Sequence, residues 1–325
     1  MLYNDREGCE MIHTLTLNPA VDKILYVKTY KKNINNRVKK MTQSLGGKGT
    51  HVSMNLSRMG TKSNAFGFAF GQNGKFILQL LREGNVNPEF IYEEEPESRT
   101  CYLVVEDSGD STLISEKGPV PTEKQIAMLY DRMDREIREG DYLVLSGDCS
   151  NFADPFIYNK ILDRMAGKNL KVFVDTSGSS FRECVRKSPY LIKPNIEELA
   201  ELTGEEINTV EDIVEAVRKL DPYHIEVIAV SMGKDGSVLK MKDRFFRARP
   251  PKVNVFNTIG CGDCYLAGLI YGTERGYEAE ELLRFATAVS ASTAESPLSF
   301  GFDMERAKAF MPLVTVTEIK REEEK

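Results

Sequence analysis

The chain has 325 residues, of which 41% are hydrophobic and 28% charged, and its formal net charge is −6. This composition is typical of a globular protein with enough apolar residues for a sizeable core, and the negative balance argues against a general nucleic-acid binder. The sequence contains no run of about 18 apolar residues, so no membrane-spanning helix is predicted. The N-terminus lacks the apolar centre of a signal peptide. The six scattered cysteines favour a reducing compartment, so we expect a cytoplasmic protein.

From Met11 onward, short apolar strands alternate with amphipathic helices, and residues 1–10 are interpreted as an N-terminal extension. The predicted strands cover 13–17, 64–70, 141–147, 171–177, 190–195 and 225–233. The predicted helices cover 51–59, 74–84, 123–139, 155–167, 195–202, 210–220, 262–272 and 279–296. Apolar strands separated by helices indicate a parallel sheet covered by helices on both faces.

Two segments interrupt this alternation. Residues 21–45 and 98–115 alternate apolar and polar positions, which predicts antiparallel strands exposed on one face. They can pair into a small second sheet over one end of the core. Residues 236–249 are predicted to form a hairpin, and residues 317–325 a charged, fraying tail.

A first glycine cluster, Gly46-Gly47-Lys48-Gly49, lies between the exposed strands and a predicted helix. Glycines let the backbone approach a ligand closely, and the lysine supplies positive charge. The cluster is not a P-loop, because that spacing requires glycine at Thr42 and serine or threonine in place of Gly49. On its own, the cluster is equally compatible with an ordinary turn.

A second cluster, Gly260-Cys261-Gly262-Asp263, precedes an apolar predicted helix. Backbone amides at a helix N-terminus form an anion site. A carboxylate there is unfavourable unless it has a task, such as accepting a proton from a hydroxyl group that attacks a phosphoryl group. The alternative is that Asp263 only caps the helix. A dinucleotide-binding fingerprint is not predicted, because Tyr265 stands at its third glycine.

Cys261 and Cys264 have the C-x-x-C spacing of redox or metal-binding thiols. A helix N-terminus favours a reactive thiolate. Zinc, however, needs two more ligands, and the chain offers three histidines and no second close cysteine pair. Thiol chemistry therefore stays an alternative, including an oxidation that would distort this turn and silence an enzyme.

Lys193-Pro194-Asn195 ends a predicted strand, and Glu198 follows Asn195 by one helical turn. The pair fits a capping box at the start of a helix. It fits equally well a site for hydrated Mg²⁺, which prefers oxygen ligands. Residues 230–236, "VSMGKDG", form a strand end that either lines a nucleotide pocket or is only a turn.

In this order the motifs resemble those of the ribokinase-like carbohydrate kinases of the PfkB family, over roughly residues 11–312. The resemblance is closest to the branch of 1-phosphofructokinases and tagatose-6-phosphate kinases. It is carried by "TLTLNPAVD" (14–22), "GGKG" (46–49), "SRTC" (98–101), "IKPNIEEL" (192–199), "VSMGKDG" (230–236) and "NTIGCGDCYLAG" (257–268). It implies a three-layer α/β/α fold with a mainly parallel central sheet, and a small β-sheet lid formed by residues 21–45 and 98–115.

The resemblance also implies ATP- and Mg²⁺-dependent phosphorylation of a ketohexose monophosphate to the bisphosphate. Asp263 would be the catalytic base, and the amides of Gly260, Cys261 and Gly262 would hold the transferred phosphoryl group. Asn195 and Glu198 would organise Mg²⁺ through water. The residues near the nucleotide would be Asn195, Ser231, Gly233 and Gly236. The residues that bind the sugar phosphate would be Asp22, Arg37, Gly47, Lys48, His51 and Arg99.

The chain departs from the family pattern in four places, of which those at His51 and Asp148 bear on the identity of the substrate. His51 stands where asparagine is usual, "SGDCS" (146–150) replaces "SGSLP", and cysteines occupy positions 261 and 264. The expected acceptor is fructose 1-phosphate, with tagatose 6-phosphate as the alternative. A kinase of an unphosphorylated sugar and a catalytically inactive sugar-phosphate sensor are further alternatives. The expected partners are small-molecule substrates and a second copy of the chain, paired through the lid, with neither nucleic acid nor membrane.

Overall fold

In a computed structural model of the protein, residues 10–152, 154–296 and 300–320 are described. The strands are β1 (Ile12–Thr16), β2 (Ala20–Val27), β3 (Lys40–Gly46), β4 (Ser63–Phe70), β5 (Asn87–Glu93), β6 (Arg99–Glu106), β7 (Ser111–Ser115), β8 (Tyr142–Ser146), β9 (Lys171–Asp175), β10 (Leu191–Ile192), β11 (Val227–Ser231), β12 (Ser237–Met241), β13 (Arg244–Arg249) and β14 (Thr315–Ile319). The helices are α1 (Lys48–Arg58), α2 (Gly71–Glu83), α3 (Glu123–Glu136), α4 (Ile157–Met165), α5 (Gly178–Val185), α6 (Ile196–Thr203), α7 (Val210–Arg218), α8 (Cys261–Glu274), α9 (Ala279–Ala294) and α10 (Met304–Phe310). Apart from Glu10, the predicted N-terminal extension lies outside the described residues.

The described strands form a large sheet in the order β14-β13-β12-β11-β10-β9-β8-β1-β4-β5. From β5 to β11 all neighbours are parallel, whereas β12, β13 and β14 extend the sheet in antiparallel order. The predicted hairpin is β12–β13. The prediction of a fraying tail from residue 317 is wrong for residues 317–319, because β14 pairs with β13 between Phe245↔Ile319 and Arg249↔Thr315.

Two apolar clusters cover the two faces of this sheet. On one face, α1, α8, α9 and α10 contribute buried side chains such as Leu56, Leu266 and Val289. On the other face, helices α3 to α7 contribute side chains such as Ile161 and Val217. The predicted three-layer α/β/α arrangement is thereby confirmed. Burial on both faces also explains why the central strands are apolar along their length.

The second sheet is the predicted lid, in the order β3-β2-β6-β7. The pairs β2–β3 and β6–β7 are antiparallel, as the alternating patterns predict. The pair β2–β6 is parallel, so the lid is a mixed sheet and the purely antiparallel prediction is wrong here. The reason is that the two segments are far apart in the chain and enter the lid from the same end, with Ala20 opposite Arg99.

Several parallel strands end at the same edge of the large sheet. Strands β1, β8 and β9 end there at Thr16, Ser146 and Asp175, and Ser146 is paired with Asp175. In open α/β sheets, ligands bind outside the carboxyl ends of the strands. None of the described helices is long and apolar enough to cross a bilayer.

Candidate active site

Helix α8 begins at this edge with an anion-binding geometry. Its N-cap, Gly260, has a left-handed backbone (φ 76°) that glycine adopts without strain. The amide of Cys264 donates to the Gly260 carbonyl at 2.9 Å, and the amide of Cys261 makes a long contact of 3.4 Å with the Thr258 carbonyl. The other amides of a first turn have no carbonyl within the helix to bind, and the helix dipole is positive there. The start of α8 can therefore bind an anion.

Asp263 lies in the first turn of α8 and is 7% exposed. Its carboxylate does not cap the helix, because Oδ2 lies 2.7 Å from Nδ1 of His51. The same imidazole places Nε2 at 2.8 Å from the carbonyl oxygen of Leu45. Both ring nitrogens of His51 are therefore engaged inside the protein, one of them with Asp263, and the sugar contact of His51 stays a prediction.

Two lysines share one buried carboxylate beside α8. Oδ1 of Asp175 lies 3.2 Å from Nζ of Lys48 and 3.4 Å from Nζ of Lys193. Burial alone would raise the pKa of Asp175, but the two ammonium groups outweigh it and lower that pKa. Asp175 in turn raises the pKa of Lys48. Two cations against one anion leave positive charge close to α8, since a Cβ atom on Gly262 would lie 3.7 Å from Nζ of Lys193.

No role was predicted for Lys193 and Asp175. The sequence nevertheless indicates their contact, because each residue lies near the carboxyl end of a predicted strand, and the two strands follow one another in the chain. Parallel neighbours bring such ends together, so opposite charges at both ends predict a contact at the edge.

Asn195 and Glu198 form the predicted capping box at the start of α6. Oδ1 of Asn195 accepts from the Glu198 amide at 2.7 Å, and Oε2 of Glu198 accepts from the Asn195 amide at 2.9 Å. An isolated bridge pairs Asn195 with Ser231, so the structure brings two predicted nucleotide contacts together. Gly236 has a packing reason for being glycine, because a Cβ atom there would lie 1.9 Å from the Ala248 carbonyl oxygen. Gly233 has φ 56° in the adjoining turn.

The first glycine cluster is also explained by close packing within the chain. A Cβ atom on Gly46 would lie 2.1 Å from Oδ1 of Asp22, and one on Gly49 would lie 2.3 Å from Oγ1 of Thr16. Gly47 has φ 109°, a conformation that favours glycine. The glycines at 46 and 49 are therefore explained by the close approach of Asp22 on β2 and of Thr16 on β1, and the approach of a ligand to the cluster stays a prediction.

The lid brings Asp22 and Arg99 to its core-facing end. Ala20 of β2 is opposite Arg99 of β6, and Nε of Arg99 donates to the carbonyl oxygen of Asn18 at 3.1 Å. Arg37 is exposed in the connection between β2 and β3, beyond the pair Tyr26↔Lys40 at the far end of these strands. A single chain therefore does not bring Arg37 to Asp22 and Arg99.

The residues after β8 that depart from the family pattern form hydrogen bonds with nearby side chains and backbone. Asp148 accepts from the amide of Ser150 at 3.0 Å and from its hydroxyl group at 2.6 Å. Cys149 is buried, with Sγ at 3.0 Å from Oγ of Ser180. The first contact lies within the loop after β8, and the second joins this loop to helix α5.

The C-x-x-C pair lacks the features of a reactive dithiol. Burial raises the pKa of Cys261 to about 12 and also raises the pKa of Cys264, whose side chain is fully buried. Thiols with raised pKa values stay protonated at neutral pH and are poor nucleophiles and metal ligands. The cysteines within the described ranges, including these two, form no disulfide. These observations argue against the redox and metal alternatives.

A lidded three-layer α/β/α fold with an anion-binding helix start at the sheet edge is typical of enzymes that transfer phosphoryl groups to small hydroxylated molecules. Residues 15–299 match the family "pfkB family carbohydrate kinase", and the chain belongs to this family. It is a phosphotransferase with an alcohol group as acceptor, as the motifs predicted.

Individual relatives cover almost the whole chain. It is 33% identical over 309 residues to the 1-phosphofructokinase of Bacillus subtilis, which covers 95% of this chain and 100% of that protein. It is 31% identical over 281 residues to the tagatose-6-phosphate kinase of Staphylococcus epidermidis, covering 86% of this chain and 90% of that one. The solved structure of phosphofructokinase-2 from Escherichia coli in complex with fructose-6-phosphate has a TM-score of 0.86 at 21% identity, over 94% of this chain and 99% of that chain. This last likeness concerns the fold alone.

Proposed function

We propose that the protein is an ATP-dependent kinase that phosphorylates a ketohexose monophosphate to the bisphosphate. Its acceptor is fructose 1-phosphate and its product fructose 1,6-bisphosphate. The observation that carries the proposal is the buried carboxylate of Asp263 in the first turn of α8, beside backbone amides that lack helix partners. Two relatives named 1-phosphofructokinase, at 33% and 31% identity, support the choice of acceptor.

In the proposed reaction, the acceptor hydroxyl group gives its proton to Asp263 while its oxygen bonds to the γ-phosphorus of ATP. The bond from this phosphorus to the bridging oxygen breaks, and its electron pair leaves with ADP. Such a transfer depends mostly on positioning and on neutralising charge. The amides of Gly260, Cys261 and Gly262 hold the transferred group, and Lys193, whose ammonium group lies near Gly262, supplies positive charge.

The groups around α6 fit a hydrated Mg²⁺ rather than a cage made of protein ligands. The capping box uses one carboxylate oxygen of Glu198 and leaves the other for a water ligand. In the described part of the chain, no three His, Cys, Asp or Glu side chains cluster as a metal site. Mg²⁺ keeps waters and binds mainly to phosphates, whose charge it would neutralise. Asn195 and Glu198 would hold it through water, and the nucleotide would lie along Ser231, Gly233 and Gly236.

Arg99 and Lys48 bind the phosphate that the sugar already carries, Asp22 accepts hydrogen bonds from sugar hydroxyl groups, and Gly47 lies at the same pocket. The side chain of Lys48 is 41% exposed, although its ammonium group contacts Asp175. Charge-assisted bonds to a dianion are strong and leave costly unpaired groups when a neutral sugar binds instead. The proposed site therefore discriminates against unphosphorylated sugars.

The second candidate function is phosphorylation of tagatose 6-phosphate to tagatose 1,6-bisphosphate. It is supported by a relative named tagatose-6-phosphate kinase, whose 31% identity is close to that of the 1-phosphofructokinases. Asp263 and α8 would act identically in both reactions. The two functions differ in the sugar and in the carbon that carries its phosphate, and therefore in the hydroxyl group that faces Asp263.

An ADP-release assay with ATP and Mg²⁺ tests the proposal. The purified protein is assayed separately with four acceptors, which are fructose 1-phosphate, tagatose 6-phosphate, fructose 6-phosphate and fructose. We expect the highest kcat/KM for fructose 1-phosphate, at least about 100-fold above that for fructose. Preference for tagatose 6-phosphate would support the second candidate. Equal use of fructose and its phosphate, or no ADP release with any acceptor, would contradict both.

The lid is also proposed to pair with the lid of a second copy. Its outer strand β7 is exposed along its length, and two of its apolar side chains, Leu113 and Ile114, are 59% and 49% exposed. Met41 on the opposite outer strand, β3, is 54% exposed. Outer strands with open hydrogen-bonding groups and apolar side chains are favourable pairing surfaces.

The absence of disulfides among the described cysteines agrees with the expected cytoplasmic location.

A further inference from the structure

The imidazole of His51 lies between two groups that accept hydrogen bonds. Nε2 lies 2.8 Å from the carbonyl oxygen of Leu45, and Nδ1 lies 2.7 Å from Oδ2 of Asp263. A carbonyl oxygen only accepts, so Nε2 carries a hydrogen atom. An ionised carboxylate also only accepts, so Nδ1 carries a hydrogen atom whenever Asp263 is ionised. The contacts therefore require a doubly protonated ring beside the Asp263 carboxylate.

The surroundings of the ring favour this charged form. His51 is 4% exposed, and Asp263 of α8 and Asp22 of β2 are the acidic groups that act on it. Burial alone would lower the pKa of His51, but the hydrogen bond to Asp263 and the charges of both carboxylates outweigh it and raise that pKa. Phe300 stacks on the ring at 5.5 Å between centroids, with Arg58 at 5.9 Å from the centroid of Phe300.

Two lysines also lie near Asp263. Lys48 at the start of α1 interacts with Asp263 and Asp175. Lys193, which follows β10, has its ammonium group near Gly262. The carboxylate thus lies among three cationic groups, of which only His51 loses its charge in the neutral pH range.

We infer that His51 is a positioning residue for the base, an imidazolium that holds Oδ2 of Asp263 and leaves Oδ1 for the acceptor hydroxyl group. This inference rests on the proposed function, in which Asp263 is the base. During transfer, the hydroxyl proton goes to Oδ1, and the proton on Nδ1 of His51 stays where it is. The imidazole therefore orients the carboxylate without exchanging a proton with the substrate.

The arrangement predicts an alkaline limb in the pH profile of kcat/KM. On that side of the profile, the ring loses its second proton. Nε2 then keeps the remaining hydrogen for Leu45, and the lone pair of Nδ1 repels the carboxylate. Turnover consequently falls as the pH rises through the raised pKa of His51.

The test compares the pH profiles of the wild-type chain and His51→Asn with the best acceptor of the ADP-release assay. Asparagine can donate an N–H to Asp263 but does not titrate in this range. We expect His51→Asn to remain active and to lose the alkaline limb. His224→Asn, which changes an exposed histidine, is the matched control and keeps that limb. An alkaline limb that is unchanged in His51→Asn would overturn the inference.

A second measurement does not depend on activity. The chain has three histidines, so nitrogen NMR of ¹⁵N-histidine-labelled protein can follow each ring, with His51→Asn identifying the signal. We expect the His51 ring to stay doubly protonated above the ordinary histidine pKa of about 6.5, and to titrate at least one pH unit lower in Asp263→Asn. Identical titration in both proteins would overturn the inference. Full turnover of Asp263→Asn would instead overturn the proposed function, so the two failures are distinguishable.

Discussion

Nζ of Lys193 lies 3.4 Å from Oδ1 of Asp175, which places a buried ammonium group beside the start of α8. The side chain of Lys193 is 6% exposed and that of Asp175 is 1% exposed. A charge held this firmly needs little reorganisation when a phosphoryl group arrives, which is the condition under which electrostatic stabilisation contributes most to catalysis. The carboxylate of Asp175 thus positions the ammonium group of Lys193.

Replacement of the cation tests this role. We expect Lys193→Met, which keeps an unbranched side chain but removes the ammonium group, to lower kcat by about 10²- to 10³-fold, because one group that stabilises the transferring phosphoryl group is lost. Steady-state kinetics measures the effect, and thermal unfolding checks that the variant is folded. The control is Lys187→Met, which removes an exposed lysine paired with Asp163 and keeps wild-type kcat. Wild-type turnover of Lys193→Met would exclude the role.

Gly46 tests the contact between the glycine cluster and the lid. In Gly46→Ala, the added Cβ atom meets Oδ1 of Asp22 at 2.1 Å, so the carboxylate must move. We expect KM for the sugar phosphate to rise about 10- to 100-fold, since small misplacements of binding groups are costly, while KM for ATP changes by less than about twofold. Gly167→Ala is the control, because a Cβ atom there meets open space. A KM for the sugar phosphate within twofold of wild type would refute the proposed binding of sugar hydroxyl groups by Asp22.

Arg99 tests recognition of the phosphate already on the substrate. We expect Arg99→Ala to raise KM for the sugar phosphate about 10- to 100-fold, as the loss of a charge-assisted hydrogen bond does. KM for ATP should hardly change. Arg82→Ala, which removes an exposed arginine in the last turn of α2, serves as the control. Equal increases for both substrates would argue against the role of Arg99.

The lid pairing has a direct test in solution. We expect the wild-type chain to sediment as a dimer, and Leu113→Asp combined with Ile114→Asp to shift it toward the monomer, because charges would be buried without partners. Leu313→Asp changes a leucine that is 60% exposed outside the lid and should leave the dimer intact. A wild-type monomer, or a dimer that the double variant preserves, would contradict the pairing.

The large sheet was predictable because its central strands are buried on both faces and are apolar throughout. β5 was missed because Asn87, Pro88 and Glu89 are residue types depleted in strands, and it adopts strand structure by pairing with β4 at the edge of the sheet. Helices α5 and α10 are short, so their periodicity is weak, and they depend on packing on the sheet for much of their stability.

The motifs predicted the residues of the candidate site better than the contacts among them. His51 and Asp263 are 212 positions apart, and Lys48 and Asp175 are 127 apart. These contacts depend on which turn of α1 faces the first turn of α8, and on the order of strands in the sheet. Neither is encoded in local patterns, so the cationic surroundings of Asp263 became visible only in the folded chain.

Asp263 is proposed to take the proton of the acceptor hydroxyl group. The decisive measurement is kcat of Asp263→Asn with fructose 1-phosphate, together with the dissociation constant of this variant for ATP. We predict that kcat falls by about 10²- to 10⁴-fold, the usual contribution of a general base, while ATP binding stays within about threefold of wild type. Turnover of Asp263→Asn close to that of the wild-type chain would contradict the account.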